Sequence, residues 1–198
     1  GVRKKRFRYA YARVLLRPAL ESSVVDYGLS VKPGLSVGPF FDFLNARTQG
    51  ASAVAILAVF LRRHHGKGAE VIVHPLTESG ASSNEVGDID LQYADGSGCA
   101  VEVKAKPYTE VDVNHACEKA LRAGVSRVIF AYGPAAEKTR PQDGVLQNLW
   151  MEKGLELTFV SIEATLSVCM AISDEKRRVE MARELSGVLI EMNAPDSV

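Results

Sequence analysis

Cysteine is scarce in this 198-residue chain: Cys99, Cys117 and Cys169 are odd in number, widely spaced, and form no Cys-x-x-Cys pair. That argues against a disulfide scaffold or a zinc knuckle, and it suits a reducing, cytoplasmic setting. Long apolar runs are missing as well. The longest, Ala51 to Leu61, is too short to cross a bilayer, and its internal position does not suit a signal peptide. No membrane association is expected. Charge of one sign is not in excess, since 24 Lys and Arg balance 24 Asp and Glu, so net charge gives nucleic acid no support as a partner. Ser79-Gly80-Ala81-Ser82 does not follow the Gly-x-Ser-x-Gly pattern, so it is not a nucleophile elbow. Internal repeats and low-complexity linkers are absent too. The chain does not begin with Met, which leaves open a fragment of something longer with a further domain upstream.

What is present fits one soluble globular domain. A hydrophobic content of 46% beside 24% charged residues is ordinary, and the length allows one well-buried core but not two large ones. The whole chain, 1–198, is therefore expected to be a single domain, with a helical part over about 1–66, a core over about 68–161 and helices over about 163–193. The spacing predicts a helix from Arg3 to Leu20, a Gly- and Pro-rich loop from Ser22 to Pro39, and a helix in two pieces, Phe40 to Ala46 and Ser52 to His65. Strands are expected at Glu70 to His74 and Arg127 to Tyr132, and again from Leu155 to Ser161. Thr109 is a candidate cap for a helix running to Arg122, with Val113, Cys117, Ala120 and Leu121 as its apolar stripe. Further helices are expected at Leu146 to Lys153, at Glu163 to Ala171, and after a Ser173 cap. The fold class is mixed α/β, a central mixed sheet flanked by helices.

Two basic clusters stand out, Arg3-Lys4-Lys5-Arg6-Phe7-Arg8 and Arg62-Arg63-His64-His65 with Lys67. Each could track phosphates, and each reads equally well as a solvated helix face or a charged helix end. His64-His65 has no carboxylate at ligand spacing, which favours a helix end over a metal site.

The chemistry concentrates in a hairpin. Gly87-Asp88-Ile89-Asp90-Leu91-Gln92-Tyr93 leads through a turn at Asp95-Gly96 into Cys99-Ala100-Val101-Glu102-Val103-Lys104. Side chains alternate along a strand, so Asp88, Asp90 and Gln92 share one face, and Glu102 and Lys104 share one face of the returning strand. If those faces coincide, two carboxylates and an amine converge on a rigid sheet. Such a set can hold a hard divalent cation beside a proton-handling group. Taken alone the pattern is weak, because hairpins commonly show one solvated polar face. The second carboxylate at Asp88 strengthens it, since crowded acids are costly without a cation.

With Gly87-Asp88-Ile89-Asp90-Leu91 followed by Val101-Glu102-Val103-Lys104, and with the helix, three strands, helix, strand order, the chain resembles the PD-(D/E)xK nuclease superfamily. The segments His74 to Ser82 and Glu102 to Thr109, with Asp112 to Ala116, resemble type II restriction endonucleases of the SacI type. The resemblance implies a restriction-endonuclease-like core and Mg2+, with Mn2+ able to substitute. It carries the catalytic roles onto Asp90, Glu102 and Lys104, and the metal onto Asp90, Glu102 and the Val103 carbonyl, with Asp88 assisting. The motif's literal Pro-Asp is not found at this hairpin, where Gly87 precedes Asp88. Implied partners are double-stranded DNA and a second copy of the chain in a homodimer. The implied activity is endonucleolytic cleavage at a short specific site, in defence against foreign DNA, leaving 5′-phosphate ends. Lys106, two residues beyond Lys104, is a candidate phosphate contact. Asn84, in the polar loop from Thr77 to Glu85, is a candidate DNA contact, and His115, off the apolar stripe of its helix, is a weaker one. Two alternatives stay open: a repair, junction-resolving or modification-dependent nuclease on the same core, and an inactive DNA-binding module of that fold.

Overall fold

The computed structural model describes residues 37–46, 50–75, 85–136 and 143–194. The expected helix from Arg3 to Leu20, the first basic cluster, most of the Ser22 to Pro39 loop and Asn84 lie outside the described residues.

Helix α1 covers Gly38–Asn45 and α2 covers Ala51–His65. Pro39 sits in the first turn of α1, where its missing N–H removes no helical bond. Helix α2 is apolar nearly all round over its first eleven residues and is accordingly buried there, apart from the partly covered Phe60. Then come strand β1 (Ala69–Val73), β2 (Ile89–Tyr93), β3 (Gly98–Lys104), helix α3 (Glu110–Arg122), β4 (Arg127–Tyr132), α4 (Asp143–Glu152), β5 (Glu156–Ser161), α5 (Ile162–Ile172) and α6 (Glu175–Glu191).

The five strands form one sheet in the order of the chain. Strands β1, β2 and β3 are an antiparallel meander, and β3–β4 and β4–β5 are parallel, joined by the crossovers through α3 and α4. This is the mixed sheet between helices that the pattern of elements predicts. Asp90 stands opposite Ala100 and Ile89 opposite Val101. The even-numbered residues of β2 and β3 therefore share a face, and so do the odd ones.

Each face has its own core. Val73, Ile89, Leu91, Cys99, Val101 and Ala131 pack with α1, α2, α5 and α6. Ala100, Val128, Phe130 and Leu157 pack on the other side under α3 and α4. Trp150, at 1% exposure, fills that second core, and its Nε1–H donates to Asn114 Oδ1 at 3.0 Å. Tying α6 to α2, Arg62 Nη2 donates to both Glu191 oxygens at 2.9 Å, and Arg63 pairs with Glu184 at 2.8 Å. His64 stacks on Phe60 and His65 meets the edge of Tyr93. The second basic cluster is thus a helix end occupied with its own protein.

Three local expectations are corrected. Asp174, not Ser173, caps α6, its carboxylate accepting the Arg177 N–H at 2.8 Å. The buried stripe of α3 takes Ala116 instead of Leu121, which is 37% exposed. Strand β3 stops at Lys104, so Lys106 falls in an exposed bend and strand alternation no longer aims it with Lys104. No described helix is long and apolar enough to cross a membrane.

Candidate active site at the ends of β2 and β3

Beyond Tyr132 and Ala100 the even face of the sheet loses its apolar cover, and acids take over. Glu102 and Lys104 project there from the last turns of β3's pleat, with Lys104 Nζ 2.8 Å from Glu102 Oε1. Both are half-buried, their side chains 21% and 31% exposed. Burial alone would lower the Lys104 ammonium. The charge and hydrogen bond of Glu102, helped by Asp88 and Asp112, outweigh it and hold the pKa above the ordinary lysine value.

Asp88 extends the same register and faces Glu102. It stitches three strands together. Its carbonyl accepts the His74 N–H at 3.1 Å, its N–H donates to Val101 O at 2.9 Å, and its Oδ2 accepts the Val103 N–H at 2.7 Å. The Val103 carbonyl points to the same side of β3 as that N–H, because a strand residue directs both groups one way. Gly87 is required by contact: a Cβ there would lie 2.5 Å from Val101 O. Burial, then the neighbouring Glu102 charge, pushes the Asp88 carboxyl up to about 6; the Val103 N–H, Lys104 and Lys119 oppose this only in part.

That shift has a measurable consequence. The folded pKa lies above the ordinary aspartate value of 3.8, so the penalty is absent below that pH and complete above about 6. Asp88→Asn keeps an acceptor for Val103 N–H and removes the charge. It should stabilise the metal-free protein by roughly 1–3 kcal/mol at about pH 8, and not at about pH 4. Urea melts in EDTA at the two pH values check this, and unchanged stability at the higher pH would refute it.

Asp90 shares the face but is turned the other way. His74 Nε2 lies 2.8 Å from Asp90 Oδ2, donating to it because a carboxylate only accepts. The N–H groups of Val86 and Gly87 add bonds of 3.1 Å each. His74 Nδ1 lies 3.6 Å from Glu85 Oε1. Asp90 also lines an open cleft of about 550 Å³ with Glu85, Gln92, Lys119 and Arg122, a lining that does not include Asp88.

The structure therefore brings Glu102, Lys104, Asp88 and the Val103 backbone together, and gives Asp90 to His74 beside them. His115 is exposed on α3. His74 and Lys119 carry no signal of their own in the sequence: His74 reaches Asp90 only through the β1–β2 register, and Lys119 only through the packing of α3. Among the described residues no group of three or more His, Cys, Asp or Glu closes by itself around a metal ion. The three cysteines are free and buried, and burial pushes Cys99 up to about 11 and Cys117 up to about 12, which rules out ready thiolates.

Residues 40–134, from α1 past the end of β4, match the family model of the SacI restriction endonuclease C-terminal domain. The match encloses every acid and amine described above, and the mixed sheet flanked by helices is consistent with a restriction-endonuclease-like fold. No curated protein matches the chain.

Proposed function

We propose that the chain, whose residues 40–134 match the family model of the SacI restriction endonuclease C-terminal domain, is a Mg2+-dependent endonuclease of double-stranded DNA acting in restriction defence. The single observation that carries the proposal is the 2.8 Å Lys104–Glu102 pair on the face shared with Asp88 and Asp90. An ordinary polar sheet face has no need to set a further buried acid, Asp88, against such a pair.

The donor set suits a hard cation. Mg2+ uses one or two carboxylates and keeps several waters, so a closed cage of protein ligands is not required. Burial raises Asp88 first, and the Glu102 charge that adds to it marks a place where a divalent charge is favourable. Glu102 and Asp90 would hold the ion with the Val103 carbonyl. Asp90 suits the task because it opens on the cleft, and its bonds from His74, Val86 and Gly87 fix its orientation. Asp88 braces β3 through Val103. Mn2+ takes the same hard oxygen ligands and would substitute.

When bound, the ion would polarise the scissile phosphate and lower the pKa of a coordinated water. Lys104, which carries its proton at neutral pH, acts as a donor. It orients the attacking water and stabilises the charge that grows on the phosphate oxygens. Attack in line would release a 5′-phosphate end. Two copies of the chain in a homodimer would place one site on each strand of a symmetric target.

The test is cleavage of mixed duplex DNA by the purified chain with Mg2+, with EDTA as the control, followed by sequencing of the ends. Discrete 5′-phosphate ends that vanish in EDTA are expected. Cutting that persists undiminished in EDTA, or no cutting of plain or modified DNA, would overturn the proposal.

A further inference from the structure

The cleft beside Asp90 has a second wall that the proposed chemistry leaves unused. Lys119 and Arg122 stand one helical turn apart on the last part of α3 and line the cleft opposite Asp90 and Gln92. Lys119 makes no ion pair among the described residues, yet its charge reaches Asp88. Arg122 pairs only with Glu118 at 3.0 Å, and both side chains are well exposed. An exposed pair of this kind is worth little and exchanges readily for a stronger anion.

The direction of the cleft matters. It runs along β2 from Asp90 towards Gln92 and Gly98, away from Glu102 and Lys104. Two residues of strand cover roughly 6.6 Å, about one nucleotide step along a nucleic-acid backbone. The volume of about 550 Å³ is ample for one nucleotide unit.

We propose that Lys119 and Arg122 form a phosphate clamp that holds the DNA backbone next to the scissile phosphate. It rests on the nuclease reading above, and it adds to that reading the direction in which the cut strand leaves the acids. The two cations would counter the repulsion between Glu85, Asp90 and the incoming backbone. They would position the strand without reading its sequence.

Binding of a random-sequence duplex of about 30 base pairs to the full chain tests this, in a Glu102→Gln background so that the DNA is not consumed. Lys119→Ala and Arg122→Ala should each weaken binding about tenfold near 0.1 M salt, and each should lower the slope of log K against log salt by about one. Lys119→Arg should restore binding. Arg183→Ala, which removes an exposed cation of α6 on the opposite face of the sheet, should change it less than about twofold. Unchanged affinity and slope in the folded Lys119→Ala, Arg122→Ala double variant would overturn the clamp. So would an equal loss in Arg183→Ala, which would show attraction to overall charge. If duplex binding follows the expected pattern but cutting survives EDTA, the metal-dependent reading fails while the clamp stands. A chain that binds no duplex at all removes the clamp.

Discussion

Replacing Glu102 with Gln should lower the cleavage rate at least about a thousandfold, with the protein still folded. The substitution keeps the shape and removes a charge from the centre of the site, where the carboxylate meets Lys104 at 2.8 Å and faces Asp88. A site that works by electrostatic stabilisation of a phosphate loses most of its advantage when one such partner goes. Lys104→Met should fall by about a hundredfold or more, for a different reason. It leaves both acids in place, so cation binding persists, and it deletes the donor that orients water. The two variants thus separate: Glu102→Gln should lose the thermal stabilisation given by Mg2+, and Lys104→Met should keep it. Rates from cleavage time courses, beside melting curves with and without Mg2+, make the comparison. Cleavage within about tenfold of the parent in a folded variant would remove that residue from the site.

Gly87→Ala should damage the protein twice over. The added methyl would lie 2.5 Å from Val101 O and 2.9 Å from Val101 C and N. These are backbone atoms of a central strand, so no flexible side chain can swing aside. Gly87 is not in the left-handed region, so the effect is steric and the backbone must part. Overpacking of this kind costs about 1–3 kcal/mol. The parting happens where Gly87 N–H holds Asp90 and Asp88 N–H holds β3, so the acids move with it. A shift of about 1 Å at reacting groups can cost a hundredfold in rate, and a loss of that order is expected. Urea melts and cleavage rates on one sample decide it. A destabilised variant with the parent rate would show that the strands can separate there without disturbing the acids.

The frame of the molecule was legible wherever a single element carried its own signal. The β-branched run at Glu70 to Val73, the Asp95-Gly96 turn and the apolar Ala51 to Leu61 stretch each specify their local structure. Alternation put Asp88 with Asp90 and Glu102 with Lys104, and the β2–β3 register, with Asp90 opposite Ala100, put the two pairs on one face. What lay beyond reach was partnership between distant segments. The 2.8 Å bond from His74 to Asp90 depends on the β1–β2 register, across a polar loop whose length says nothing about pairing. Lys119 faces the acids only because Ala116, Cys117 and Ala120 turn the rest of α3 into the core. Ser173 and Asp174 are both good caps by type, and the chain's path at that corner chose between them. Lys106 lies past the end of β3, so alternation, which stops with the strand, does not fix its direction.

Strand β3 has a further consequence for how this protein can fail. Its odd residues, Cys99, Val101 and Val103, pack towards α2, and its even residues are Ala100, Glu102 and Lys104. Sliding by one residue would drive Glu102 and Lys104 into that apolar layer and expose Val101, an arrangement no folded molecule could sustain. The strands are therefore paired in this register or the sheet is unfolded, with no population held one residue out of step. Damage far from the site should then reduce the number of working molecules and leave the rate of each survivor intact.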